Sequence, residues 1–143
     1  MTAMENRSEE APAVVDETGL TEAVLERLVR QFYATARRDP LIGPVFDHVT
    51  DWEHHIARIC AFWSAVALRT GRYAGQPMQA HMPLGLEATH FARWLELFRQ
   101  TAREVCTPAG AALLEARAEQ IAKGLLFGID AHRGNLPARA AAS

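Results

Sequence analysis

The sequence predicts an all-α domain, and three observations support this prediction. In four segments between residues 18 and 130, apolar residues recur at spacings of three and four, which places their side chains on one face of a helix. Prolines, glycines and capping residues separate these segments. No segment alternates apolar and polar residues over the length of a strand. We therefore expect a globular domain at 18–130, with flexible polar extensions at 1–17 and 131–143.

The first predicted helix runs from Thr21, which suits the N-cap position, to about Arg38, and Pro40 stops it. The segment 39–46 that follows contains two prolines and one glycine, so it predicts a stiff corner. The apolar stripe of this helix consists of Leu25, Leu28, Val29, Phe32 and Ala36.

The second helix is expected to begin near Asp51 and to fade by Gly71. Thr50 and Glu53 have the spacing of a capping box, in which each side chain satisfies the other residue's free amide. The segment from Gly71 to His81 contains two glycines and a proline, and it predicts a loop that closes on one short helical turn. His81 lies at the end of this turn.

Two further helices complete the predicted domain. One runs from about Thr89 to Val105 on an apolar stripe of its own. Thr107 and Pro108 provide a cap and a first-position proline for the last helix, and Gly128 is expected to end it.

Composition excludes several classes of protein. A length of 143 residues predicts one domain, and a net charge of −2 gives no reason to expect nucleic acid or an anionic membrane as a partner. No apolar run approaches the roughly 18 residues needed to span a membrane, and no signal peptide opens the chain. Cys60 and Cys106 lack the short spacing of a zinc or redox motif. We expect a cytoplasmic protein with reduced, buried cysteines.

Common enzyme motifs are missing from the sequence. It contains neither a glycine-rich phosphate loop nor a nucleophile elbow. His54 and His55 are adjacent, so they cannot share one helical face around zinc, and His81 with His90 is also a poor metal pair. A non-haem metalloenzyme that uses His54, His55 and His81 remains one rival hypothesis. It predicts stoichiometric zinc or iron.

Considered together, His81 and the aromatic residues indicate which kind of ligand the chain could bind. A flat apolar cofactor such as haem needs a slot between helices, aromatic walls and one axial imidazole. The chain offers His81 on the loop and Phe46 on the corner. Helix faces add Ile59, Phe62 and Phe91, and three apolar side chains with polar tips, Tyr33, His55 and Trp94. The rival interpretation is a cofactor-free helical adaptor in which the aromatic residues only fill the core.

Several motifs occur in a fixed order along most of the chain. They are Phe32-Tyr33, the corner 39–46, Asp51-Trp52 with His55, Phe62-Trp63, Gly71-x-Tyr73-x-Gly75-Gln76-Pro77-x-x-x-His81, and His90-Phe91-x-x-Trp94-Leu95-x-Leu97-Phe98. In these motifs the chain resembles the truncated haemoglobins, most closely their third group. The resemblance covers about residues 20–130.

The resemblance implies a shortened globin, a two-over-two helical sandwich around haem b (iron protoporphyrin IX). His81, rather than His90, would be the proximal iron ligand. Phe46 would be an aromatic wedge against the porphyrin. Ile59, Phe62 and Phe91 would complete the cofactor-binding walls.

The resemblance also assigns the distal side, where an external ligand binds. Tyr33 and Trp94 would be the polar residues of this side, and His55 would occupy the position that gates ligand access. A phenol O–H and an indole N–H donate hydrogen bonds strongly in a water-poor pocket, so we expect tight oxygen binding with slow release. Arg58, with His54 as the alternative, would pair with a haem propionate.

For function, the resemblance implies binding of O2, NO and CO. Detoxification of nitric oxide by bound oxygen is the leading enzymatic hypothesis, and peroxidase-like activity is another. Sustained turnover would require an external reductase as partner. Gas sensing, or oxygen transport to a redox partner, is the alternative.

Overall fold

A computed structural model describes residues 12–134 of the chain, and for residues 12–14 it describes the backbone only. Every element of regular secondary structure in that range is an α-helix or a 3-10 helix, which confirms the all-α prediction. In chain order the elements are α1 (Pro12–Thr18), α2 (Glu22–Ala36), a 3-10 turn (Gly43–Phe46), α3 (Trp52–Leu68), α4 (Pro77–His81), a second 3-10 turn (Met82–Leu84), α5 (Ala88–Val105) and α6 (Pro108–Arg133).

The long helices pack around one core. Helix α2 lies against both α3 and α5, and α5 lies against α6. A smaller apolar cluster forms where α4 meets the second half of α6. Cys60 and Cys106 are free thiols, as predicted, but they are half-buried rather than buried. Within residues 12–134 no helix has the length and apolarity needed to cross a membrane.

The N-terminal boundary differs from the prediction. Residues 12–17 were expected to belong to a flexible extension, but they form most of α1, which packs against α6. Val15 joins the core from this helix. The end of α1 is bound as well, because the Thr107 hydroxyl donates a hydrogen bond to the Thr18 carbonyl at 2.6 Å. The rest of the predicted extension, residues 1–11, lies outside the described part of the chain.

The C-terminal boundary differs too, because α6 passes through Gly128 and ends at Arg133. A glycine ends a helix when its backbone turns left-handed. Gly134 does so, with φ +76°, whereas Gly128 stays helical. Of the predicted tail, residues 131–133 are helical, and residues 135–143 lie outside the described part.

Two of the predicted helix starts are confirmed. The Thr21 hydroxyl accepts a hydrogen bond from the Val24 amide at 3.2 Å. The Thr107 hydroxyl accepts one from the Gly110 amide at 3.0 Å. Each side chain satisfies an amide that the helix itself leaves unpaired.

The capping box predicted for α3 is wrong. The N-cap is Asp51, whose carboxylate accepts a hydrogen bond from the His54 amide at 3.1 Å, and not Thr50. Glu53 instead forms an ion pair with Arg30 of α2 at 2.9 Å. Asp51 and Thr50 are both good capping residues, so the sequence alone does not decide between them.

The stiff corner is tied to α5 through Asp39, whose side chain is only 4% exposed. Its carboxylate accepts hydrogen bonds from the amides of Leu41 and Ile42 at 3.1 and 3.0 Å, and from Arg93 Nε at 2.8 Å. The Ile42 bond, together with those from Arg93 and Leu41, lowers the pKa of Asp39, although burial opposes this shift. Phe46, at the end of the corner, is thereby held in place.

Replacing Asp39 with asparagine should lower the free energy of unfolding by about 1–2 kcal/mol at pH 7, because charge-assisted hydrogen bonds are lost. The folded pKa of Asp39 lies below the unfolded value of roughly 3.9. Its contribution is therefore complete above that value and disappears as the pH falls through the folded pKa. Urea unfolding at several pH values should show the difference between wild type and Asp39→Asn closing below about pH 4. A difference that is constant with pH would contradict this.

Candidate functional site

A cavity of about 480 Å³ opens between α3, α4 and α5, within the range of roughly 300–1,000 Å³ that ligand pockets occupy. All ten residues put forward from the sequence line it: Tyr33, Phe46, His54, His55, Arg58, Ile59, Phe62, His81, Phe91 and Trp94. The helices bring these side chains together from positions up to 61 residues apart in the chain. Their individual roles remain predictions.

His81 is the half-buried last residue of α4. Its Nδ1 lies 2.6 Å from the carbonyl oxygen of Pro77. A carbonyl only accepts, so Nδ1 carries the proton and donates it. In a neutral imidazole this leaves Nε2 with a free lone pair. Metal-bound histidines are commonly oriented by such a second hydrogen bond, so His81 has the donor chemistry of an axial iron ligand.

Helix α6 holds the short helix α4 in position. Met78 of α4 lies so close to Gly128 of α6 that a Cβ at residue 128 would be 2.3 Å from the Met78 methyl group. Beyond α4, Arg133 donates a hydrogen bond to the Leu86 carbonyl at 2.8 Å. The chain on both sides of His81 is therefore fixed to the same long helix.

Tyr33 and His55 form a polar pair in the cavity wall, with the Tyr33 hydroxyl 3.2 Å from His55 Nε2. Burial raises the pKa of Tyr33, so its phenol stays protonated at neutral pH. Burial, followed by the positive charge of His48 and Arg58 among others, lowers the pKa of His55, which favours a neutral ring. The tautomer of the His55 ring decides which of the two residues donates the hydrogen bond. If Nε2 carries the proton, the phenol proton is free for a ligand.

Aromatic edges surround the Tyr33 ring. Phe32, Phe46, Trp52 and His55 each meet it edge to face, with ring centroids 5.2 to 5.4 Å apart. Such contacts stabilise one ring orientation. The Tyr33 hydroxyl is therefore fixed before any ligand arrives.

Trp94 adds a second polar group to the same cavity. Its ring stacks on Phe98 at 5.2 Å and meets the edge of Phe32 at 5.9 Å. Within residues 12–134 its indole N–H has no hydrogen-bond acceptor, and it is not sealed from solvent. An indole N–H can only donate, so Trp94 is available to a ligand in the cavity.

Comparison with known proteins agrees with this architecture. The bacterial-like globin family model matches residues 13–122. The chain belongs to the bacterial-like globins. The group 3 truncated hemoglobin ctb of Campylobacter jejuni is 31% identical over 104 residues, which cover 68% of this chain and 82% of that protein.

Among solved structures, this globin matches the crystal structure of group III truncated hemoglobin from Campylobacter jejuni. The TM-score is 0.71 at 28% identity, and the match covers 77% of this chain and 91% of that one. The resemblance found in the sequence is thus confirmed, and so is the truncated-globin fold. Globins use haem to bind small gaseous ligands.

Among the residues that the structure describes, neither His90 nor His54 belongs to a group of side chains that could hold a metal ion. His90 Nδ1 accepts a hydrogen bond from the Glu87 amide at 3.0 Å, so it takes part in capping α5. His54 is exposed. Across residues 12–134 no three His, Cys, Asp or Glu side chains converge as a metal site. The non-haem set of His54, His55 and His81 therefore does not form.

Sequence reasoning missed several cavity residues. Tyr73 was seen only as part of a motif, and His48 was not considered. Three residues of α6 also line the cavity: Ile121, Ala122 and Leu125. Nothing in the sequence marks these α6 residues, because an apolar helical stripe does not reveal whether it faces protein or a cofactor.

Two glycines of α6 offer a matched test of how α4 is held. A Cβ at Gly124 would meet nothing within 4 Å, so Gly124→Ala should stabilise the helix by about 0.5–1 kcal/mol. Gly128→Ala should stabilise the helix less than Gly124→Ala does, because the end of the Met78 side chain lies where the new Cβ would be and must move away. Urea unfolding of both variants measures the difference. Equal stabilisation would show that the contact between Met78 and Gly128 does not position α4.

Proposed function

We propose that this globin binds haem b in the cavity, with His81 as proximal ligand, and takes O2, NO or CO beside Tyr33, His55 and Trp94. The observation that carries the proposal is the hydrogen bond from His81 Nδ1 to the Pro77 carbonyl. It leaves Nε2 as a metal donor in a cavity that also contains the Tyr33–His55 pair.

The cavity lining fits a porphyrin. Its apolar rings and aliphatic groups suit the faces of the macrocycle: Phe46, Ile59, Phe62 and Phe91. Arg58 and His54 also line the cavity but are exposed. Their polar ends can meet the carboxylates of the propionates at the solvent edge. This distribution, apolar within and cationic at the edge, favours haem over the cofactor-free adaptor.

Bound haem supplies an iron that takes up diatomic ligands and exchanges electrons. Tyr33 and Trp94 contribute hydrogen-bond donors to a ligand, and the low local dielectric strengthens both bonds. His55 orients the Tyr33 hydroxyl through the 3.2 Å contact. Tight oxygen binding with slow release follows, which suits chemistry on oxygen better than its transport.

We infer NO/O2 chemistry as the use of this site. Nitric oxide, oxygen and one electron combine to nitrate, so the reaction consumes a reducing equivalent in each turnover. An external reductase is the partner that this proposal requires. A gas sensor with the same pocket would bind NO and O2 without catalysing their conversion to nitrate.

The test begins with haemin added to the haem-free protein, followed by reduction and stopped-flow measurement of oxygen release. Tyr33→Phe should speed release by roughly tenfold or more, because a hydrogen bond to the ligand is lost. Thr101→Val is the control, since it removes a buried hydroxyl that donates to the Leu97 carbonyl away from the cavity wall. Nitrate formation from NO under turnover is then measured in the wild type.

Failure to bind haemin would overturn the proposal as a whole. Equal oxygen release in Tyr33→Phe and wild type would overturn the role of Tyr33. Oxygen and NO binding without nitrate formation would favour the sensor.

A further inference from the structure

A polar network with a buried centre lies outside the cavity, where the loop 69–76 leaves α3. The Ser64 hydroxyl donates a hydrogen bond to Glu22 of α2 at 2.7 Å. Because that uses the one proton of Ser64, the Thr70 hydroxyl donates to Ser64 Oγ, at 2.6 Å. Arg72 pairs with the other carboxylate oxygen of Glu22 at 3.0 Å. We call Glu22, Ser64, Thr70 and Arg72 the latch.

The loop begins in a costly conformation. Arg69 has φ 59° and ψ 35° and is the only non-glycine residue with positive φ among residues 12–134. A left-handed conformation is unfavourable for a residue with a Cβ, which crowds the following carbonyl oxygen. It turns the chain back toward α3 and buries Thr70, which is 3% exposed. The hydrogen bonds of the latch offset this cost.

The hydrogen bonds of the latch are strengthened because its centre is shielded from water. Ser64 is fully buried, so a missing partner would leave its hydroxyl or the Glu22 carboxylate poorly satisfied. Neither Ser64 nor Thr70 lines the cavity. The Thr70 hydroxyl therefore acts on the site through the loop, and Ser64 acts through α3 as well.

The loop supplies part of the cavity wall through Tyr73. Its ring meets the edge of Phe62 at 5.2 Å. A Cβ at Gly75 would lie 2.3 Å from the Tyr73 hydroxyl, so only glycine leaves room there. Tyr73 is one residue beyond Arg72 and three beyond Thr70, so the latch fixes where this ring lies.

We propose that the latch is a positioning device for the cofactor. It holds Tyr73 against Phe62, closes the cavity along the loop 69–76, and sets the rate at which haem leaves. The latch residues are positioning residues, and Tyr73 is an additional haem-contacting residue. This inference rests on the proposed haem binding.

The chain offers a matched control. Thr70→Val removes the latch hydroxyl with little change of shape. Thr101→Val makes the same change at a threonine that is 4% exposed and donates to the Leu97 carbonyl within α5. Haem transfer to an excess of a haem-free acceptor globin should be roughly tenfold faster from Thr70→Val and close to wild type from Thr101→Val. Thr70→Ser keeps a hydroxyl and should restore retention.

The exposed Arg72 provides a second variant that does not disturb the core. Arg72→Gln should speed haem transfer by about threefold, as expected for an exposed ion pair. Faster transfer from Thr70→Val than from Thr101→Val supports the proposal. Equal transfer from all variants and wild type overturns it.

Limited trypsin digestion tests the latch without haem. Cleavage after Arg69 or Arg72, detected by mass spectrometry, should be faster in haem-free Thr70→Val than in haem-free Thr101→Val. Faster cleavage with unchanged haem transfer overturns the role in retention. Unchanged cleavage overturns the latch itself. If the wild type binds no haemin, the proposed function fails, and the digestion still reports on the latch.

Discussion

The hydrogen bond from His81 to the Pro77 carbonyl is the interaction on which the site depends. At 2.6 Å it fixes both the tautomer and the orientation of the imidazole. A helix of five residues has little stability of its own, so α4 must be held from outside. Met78 against Gly128 and the bond from Arg133 to the Leu86 carbonyl provide that support from α6. The long C-terminal helix thus serves the site without contributing a polar residue to it.

Burial sets the chemistry of the other polar groups in the cavity. It raises the pKa of Tyr33 and lowers that of His55, so both are held in their uncharged forms. Two uncharged groups that share one hydrogen bond can exchange donor and acceptor roles by a change of tautomer. The aromatic edges around Tyr33 keep its hydroxyl in position while this happens. A pocket with fixed dipoles suits a small, weakly polar ligand.

Local patterns predicted most of the fold, and together with the family resemblance they singled out ten residues that line one cavity. Non-local contacts escaped both. Thr21 was identified as a cap because it precedes an apolar stripe, and Thr107 because a first-position proline follows it. Gly128 was mistaken for a helix end because the sequence does not reveal the close approach of Met78 from α4, which is a different reason for a small residue there. The contact between Ser64 and Glu22 joins residues 42 positions apart and leaves no periodic trace. Helix α1 was missed for the same reason, since its stability comes from packing against α6.

The most direct test of the account replaces His81 with glycine and measures haemin uptake, by absorption spectroscopy, with and without added imidazole. If His81 is the proximal ligand, the variant should bind haemin weakly alone and recover a wild-type-like spectrum when free imidazole fills the vacated position. The contact between Tyr33 and His55 does not depend on this residue, so carbon monoxide should then still bind. Wild-type uptake and spectrum without imidazole would contradict the account, because another residue would have to hold the iron.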